Sequence, residues 1–151
     1  MIWTRTQNDI DTAKNLITKK VQKFIPLTDA DVEALERGTL TINTLNRIEL
    51  KQEELKNLFE ELGYYNTPIV NKVWDYTHIL NEADFSRIVE NTAILKDAFF
   101  VLADTPVIPP ISYYYENINS LEKILHDLDV MINNVKSNYR ECGTFECGEA
   151  M

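Results

Sequence analysis

Two histidines, two cysteines and several runs of carboxylates are the side chains here whose chemistry could reach beyond packing. His78 follows Asp75 by three residues, and His126 stands just ahead of Asp127 and Asp129. A metal site needs ligands converging from separate elements, or a spacing such as His-Glu-x-x-His on one helix face. Neither histidine has that company, so both are expected to be structural, and no metal or cofactor is expected. The pairs Glu53-Glu54 and Glu60-Glu61 fall between the positions of an apolar stripe. They read as a solvated helix face, not as the facing carboxyls of a glycoside-cleaving cleft. No serine sits in a Gly-x-Ser-x-Gly elbow, and 4 glycines in the whole chain leave no room for a Gly-rich nucleotide loop. The residues nominate no catalytic group, and the chain is expected not to be an enzyme.

Cys142 and Cys147 frame the segment Cys142-Gly143-Thr144-Phe145-Glu146-Cys147-Gly148-Glu149. Four intervening residues are loose for a zinc knuckle, and no second ligand pair exists in the chain. The two thiols could bridge a tight turn or pair between copies. The reading preferred here is a short extended tail with both thiols reduced, whose Thr144-Phe145-Glu146 alternation suits an edge strand added to a partner's sheet.

Whatever positions these residues must be helical. The 151 residues suffice for one domain, with 44% hydrophobic and 26% charged residues, as in an ordinary globular protein. A net charge of −9 argues against a binder of the phosphate backbone. No apolar run approaches the roughly 20 residues of a membrane span, and Met1-Ile2-Trp3-Thr4-Arg5 is too polar for a secretory signal. The chain is read as made in a cytoplasm.

Apolar residues recur at steps of three and four, the period of one helix face. Ile10, Ala13, Ile17, Val21 and Phe24 form a first stripe that stops before Pro26. A short second helix opens at Thr28, which can accept from a first-turn amide, with Asp31 where a carboxylate suits the helix dipole, and closes on Gly38 as a left-handed cap. A third runs Leu45, Ile48, Gln52, Leu55, Phe59 and Leu62, capped by Asn43 or Thr44 and followed by Gly63. Residues 64–80 break the pattern. A helix beginning near Asn81 carries Phe85, Ile88, Thr92, Leu95, Phe99 and Leu102, and a Pro-rich connector follows over 105–110. The last helix carries Ile118, Leu121, Leu125, Leu128, Ile132 and Val135, and its spacing stops at Asn138.

Three of these stripes align. Forty residues on, Leu45-Asn46-Arg47-Ile48 falls on Phe85-Ser86-Arg87-Ile88, Leu55-Lys56 on Leu95-Lys96, and Gln52 on Thr92. A further 33 residues on, Ile118-Asn119-Ser120-Leu121-Glu122 repeats the Leu45-to-Glu49 stretch less closely. Either any amphipathic helix would align this way, or a helix-plus-loop unit is duplicated. The expected fold is mainly α, a bundle of four or five helices. It comprises a helical domain over 1–138 and a Cys-containing tail over 139–151. The domain divides into N-terminal helices over 1–40, repeat units over 41–80 and 81–113, and a last helix over 114–138. A helix-turn-helix over 28–60 is disfavoured, because its recognition helix would present Glu49, Glu53, Glu54, Glu60 and Glu61 to phosphates.

Several stretches resemble small tail-region proteins of bacteriophages, prophages or tailocins of Gram-positive bacteria. The opening Trp3-Thr4-Arg5-Thr6-Gln7-Asn8-Asp9-Ile10-Asp11, the stretch Leu45-Asn46-Arg47-Ile48-Glu49 with Gly63-Tyr64, its echo Arg87-Ile88 with Glu90-Asn91, and the ending from Cys142 to Glu149 carry the likeness. Leu50-Lys51 stands where the pattern has an asparagine. The resemblance implies a virion building block of the tail, baseplate or fibre-attachment region, assembled in the host cytoplasm. It would be present in several copies or as a homo-oligomer, contacting other tail or baseplate proteins, without nucleic acid or membrane insertion. It supplies no catalytic residue. An intracellular helical regulator or assembly chaperone of phage origin is the alternative. Trp3, Trp74, Tyr113, Tyr114 and Tyr115, expected at the surface, are the candidate contact residues, together with Cys142, Phe145 and Cys147.

Overall fold

The computed structural model describes residues 2–64 and 69–142. Five helices follow in order: α1 (Gln7–Lys23), α2 (Asp29–Gly38), α3 (Ile42–Glu61), α4 (Glu82–Ala98) and α5 (Tyr115–Cys142). The protein is mainly helical, and no strand occurs among the described residues. Of the extended tail expected over 139–151, residues 139–142 are instead part of α5, and the remainder lies outside the described residues.

Side-chain caps explain where most helices begin. Thr6 and Thr28 each accept a hydrogen bond from the third helical amide, while Asp9 and Asp31 accept one from the cap amide. Asn81 caps α4 by accepting from the Asp84 amide at 2.8 Å. The start of α3 corrects the sequence reading: Thr41 is the cap, not Asn43 or Thr44, and Thr44 is already buried inside the helix. The capping bonds hold the Asp9 carboxyl below the ordinary aspartate range, the Thr6 backbone amide contributing most. The folded helix alone supplies those bonds, so their contribution is whole above the unfolded aspartate value and is lost as pH falls through the lowered one. Thr6→Ala is therefore expected to cost about 1 kcal/mol near neutral pH. Only the part carried by the Thr6 hydroxyl's bond to the Asp9 carboxylate should shrink in acid, since the amide's bond survives the substitution, as urea titrations at several pH values would record.

Helices α3, α4 and α5 pack pairwise into a three-helix bundle, and α1 packs on α2 as a separate hairpin. The sequence stripes supply the bundle core: Leu45, Ile48, Leu55 and Phe59 of α3, Phe85, Ile88 and Leu95 of α4, and Leu121, Leu125, Leu128 and Ile132 of α5. Ile124 joins them beside the expected stripe, and α5 runs on to Cys142, past the expected end at Asn138. The polar break shared by two stripes is a buried bridge. Gln52 Nε2 donates to Thr92 Oγ1 at 2.9 Å and to the Ile88 carbonyl at 2.8 Å. Thr92 keeps its own bond to Ile88, and Asn91 keeps the Val70 carbonyl. Gln52→Leu, of similar volume, is thus expected to lie within about 1 kcal/mol of the parent. Gln52→Ala, which leaves a cavity, should cost about 2–4 kcal/mol in the same denaturation assay.

The hairpin departs furthest from the sequence reading. Among its described side chains Ala13 and Leu16 are the buried apolar ones, while Ile17 and Phe24 of the expected stripe face solvent. Gly38 is the reason. A Cβ there would stand 2.2 Å from the Asp9 carbonyl oxygen and 2.4 Å from the Ala13 Cβ. The glycine is not a left-handed cap; it lies inside α2 and lets the two backbones touch, which turns the Ala13–Leu16 edge of α1 inward. The left-handed glycine is Gly63, with φ of 76°, at the end of α3.

Candidate functional site

The most densely connected polar groups are two buried glutamates, one on α3 and one on α5, each holding an extended segment against the bundle. Glu49 is one residue past Ile48, so it faces the groove between α3 and α4. It accepts from Arg87 of α4 through both guanidinium ends, at 2.5 and 2.8 Å. It also accepts from the Trp74 indole at 2.9 Å and the Lys72 amide at 2.8 Å. One turn earlier, Asn46 brackets the Trp74 backbone, its Nδ2 donating to the carbonyl at 2.9 Å and its Oδ1 accepting from the amide at 2.7 Å. The segment after α3 is thereby fastened along it.

The same device recurs on α5, in the register of the sequence alignment. Glu122 accepts from Arg47 of α3 at 2.9 and 3.1 Å, and from Arg5 Nη1. Asn119 brackets the Arg5 backbone just as Asn46 brackets Trp74, with its Nδ2 donating to the carbonyl at 2.9 Å and its Oδ1 accepting from the amide at 3.3 Å. Each station takes an asparagine and a glutamate from one helix, an arginine from the next, and an N–H side chain from the strapped segment. Arg87 links α4 to α3, and Arg47 links α3 to α5. The relay ends there, because Val89 stands on α4 where the others have glutamate and Ser120 on α5 where they have arginine. The repeat seen in the sequence is thus a repeat of polar clamps as well as of apolar faces.

A third strap follows α4. Thr105 donates to Asp127 at 2.8 Å, Lys123 reaches the same carboxylate at 2.6 Å, and Lys96 donates to the Pro106 carbonyl at 2.5 Å. These bonds pair each buried carboxylate with a cation, while Arg5 keeps one buried guanidinium nitrogen, Nη2, without a partner among the described residues. Each bidentate guanidinium–carboxylate pair is charge-assisted, and the bond to Glu49 holds Arg87 more firmly protonated than usual. The groups are spent on one another.

The residues singled out in the sequence fall into three groups. Trp74, expected at the surface, is 3% exposed. Its indole is drawn inward by Glu49 and its face carries the Lys72 ammonium 4.4 Å from the ring centre. Trp3 is half-buried and stacks on His126 at 4.1 Å, which gives that histidine its place. His78 is exposed and turns back on Asp75, 2.9 Å away. Tyr113 and Tyr114 are exposed on the approach to α5, with Tyr113 leaning on Phe85 at 4.9 Å, and Tyr115 is half-buried at the helix start. Cys142 is the last residue of α5, and Phe145 and Cys147 lie outside the described residues. Glu53, Glu54, Glu60 and Glu61 form the exposed face expected of them.

Among the described residues no group of three or more His, Cys, Asp or Glu side chains is placed to hold a metal ion, and no helix is long and apolar enough to cross a membrane. Comparisons with protein families, with characterised proteins and with solved structures return no match.

Proposed function

We propose that this chain is a non-enzymatic structural protein of a phage or tailocin tail, acting as a connector in the tail, baseplate or fibre-attachment region. The observation that carries this reading is the way the buried charges are used. Glu49, Glu122 and Asp127 are each bonded to cations that belong to neighbouring helices or straps, or to the next turn of their own helix. Such groups stiffen a body; they do not hold a carboxyl poised for proton transfer. The outside of the same body carries large apolar side chains, including Phe100, Val107 and Tyr114, of the kind that protein interfaces favour. The resemblance of Leu45-Asn46-Arg47-Ile48-Glu49 and of both chain ends to tail-region proteins supplies the particle. Quantitative mass spectrometry of purified particles tests the reading. The chain is expected at a fixed ratio to the tail proteins, and its presence in the lysate but not in finished particles would sink the proposal.

A further inference from the structure

The α1–α2 hairpin is an unfinished body. Among its described side chains it buries the apolar Ala13 and Leu16 and leaves Ile17, Phe24, Ile25 and Val32 open to solvent. Phe24 is 89% exposed and is held out at the end of α1 by a left-handed backbone, φ 51°. Across Lys20 from it lies a hollow of about 450 Å³ between the hairpin and the start of α3, walled by Leu27, Val32, Leu35, Ile42 and Tyr76 and bordered by Lys20, Glu36, Thr41 and Asn43. The molecule thus carries an aromatic knob at the end of α1 and a largely apolar hole where the hairpin meets α3.

Charge is distributed to match. From Lys14 to Lys23, α1 carries four lysines and no acid, and from Asp29 to Glu36, α2 carries four acids and no base. Among the described residues no ion pair joins Lys19 or Lys20 to Asp29, Asp31, Glu33 or Glu36; the pair that does span the hairpin, Arg37 with Asp9, lies at its other end. Lys14 is engaged with Asp11 on its own helix, 4.0 Å away. Lys19 acts on the Asp31 carboxyl only at longer range, and Lys20 and Glu36 border the same hollow, so a two-fold rotation can set the basic helix of one copy against the acidic helix of another.

We infer that two copies of this chain pair through their α1–α2 hairpins, Phe24 of each seated in the hollow of the other and the α1 lysines of one facing the α2 acids of its partner. The two hairpins then form a four-helix bundle, the arrangement in which such hairpins close their cores. This gives the several-copy arrangement of the connector reading its contact surface, and to that extent rests on it. The test is made on the purified chain, so its failure leaves the particle measurement to decide the tail assignment on its own.

Sedimentation equilibrium of the full chain, from about 1 to 200 µM, is the experiment. A monomer–dimer equilibrium is expected, and Phe24→Gly is expected to raise the dissociation constant at least tenfold. Glycine accepts the left-handed backbone without strain, so the variant should melt no lower than the parent, which separates lost pairing from lost folding. Lys20→Glu and Glu36→Lys should each weaken pairing, and an equimolar mixture of the two should dimerise again, because both cross-contacts then join opposite charges. A parent that stays monomeric throughout overturns the inference. So does a dimer indifferent to Phe24→Gly, or a mixture of the charge variants that does not recover.

Discussion

Glu49→Ala is expected to destabilise the protein by about 3–5 kcal/mol, the cost of breaking a buried ion pair from one side. Removing the carboxylate orphans the Arg87 guanidinium, the Trp74 indole N–H and the Lys72 amide together. The Trp74 indole and the Lys72 amide are left without an acceptor, while Arg87 keeps the Val70 carbonyl and the Asp84 carboxylate, 4.0 Å away. The loss should be cooperative, since α3, α4 and the strap between them share the one anion. Urea denaturation followed by circular dichroism measures it, and tryptophan fluorescence should show Trp74 entering water in step. Adding Arg87→Met to the alanine variant should recover part of the loss, because the stranded cation is then gone. A single-variant cost under about 1 kcal/mol would mean that Glu49 lies in a wetter place than its bonds imply.

Gly38→Ala comes next, with an expected cost of about 3 kcal/mol or more confined to the hairpin. The added methyl meets the Asp9 carbonyl oxygen and the Ala13 Cβ, neither of which can swing aside as the tip of a flexible chain would. Helices α1 and α2 must therefore separate. Their contacts are chiefly with each other, so the bundle should keep its urea midpoint while the amides of Gln7–Lys23 and Asp29–Gly38 lose protection from hydrogen exchange. Loss of protection throughout α3 to α5 would show instead that the hairpin is an integral part of the core.

These two positions mark the limits of what spacing alone conveys. The three bundle helices were legible because their apolar steps of three and four are regular, and tertiary packing buried those side chains as expected. Even the polar interruptions at Gln52 and Thr92 aligned, and they meet. Periodicity has no means of placing a charge whose partner is distant in the chain. Glu49 beside Ile48 looks like the exposed shoulder of a stripe until Arg87, 38 residues away, is brought to it. Glu122 waits for Arg5, 117 residues away. The usable signal was the recurrence of Asn46, Arg47 and Glu49 as Asn119 and Glu122, with Arg87 answering Arg47. Repeated polar identity at fixed register reports a shared bond, whereas repeated leucine reports a shared face. Trp74 misled because aromatic residues in a loop read as surface when the acceptor for the indole is unseen. In α1 the stripe was wide enough to admit two orientations, and a glycine on another helix chose between them.

The central claim is that α3, α4 and α5 form one rigid unit because two equivalent acid stations lock each helix to the next. Native-state hydrogen exchange in increasing low concentrations of urea tests it most directly. The buried amides of all three helices are predicted to merge into a single opening at the free energy of global unfolding. If α4 or α5 opened by itself at a distinctly lower free energy while α3 stayed protected, the locks would not join the helices and the account would be wrong.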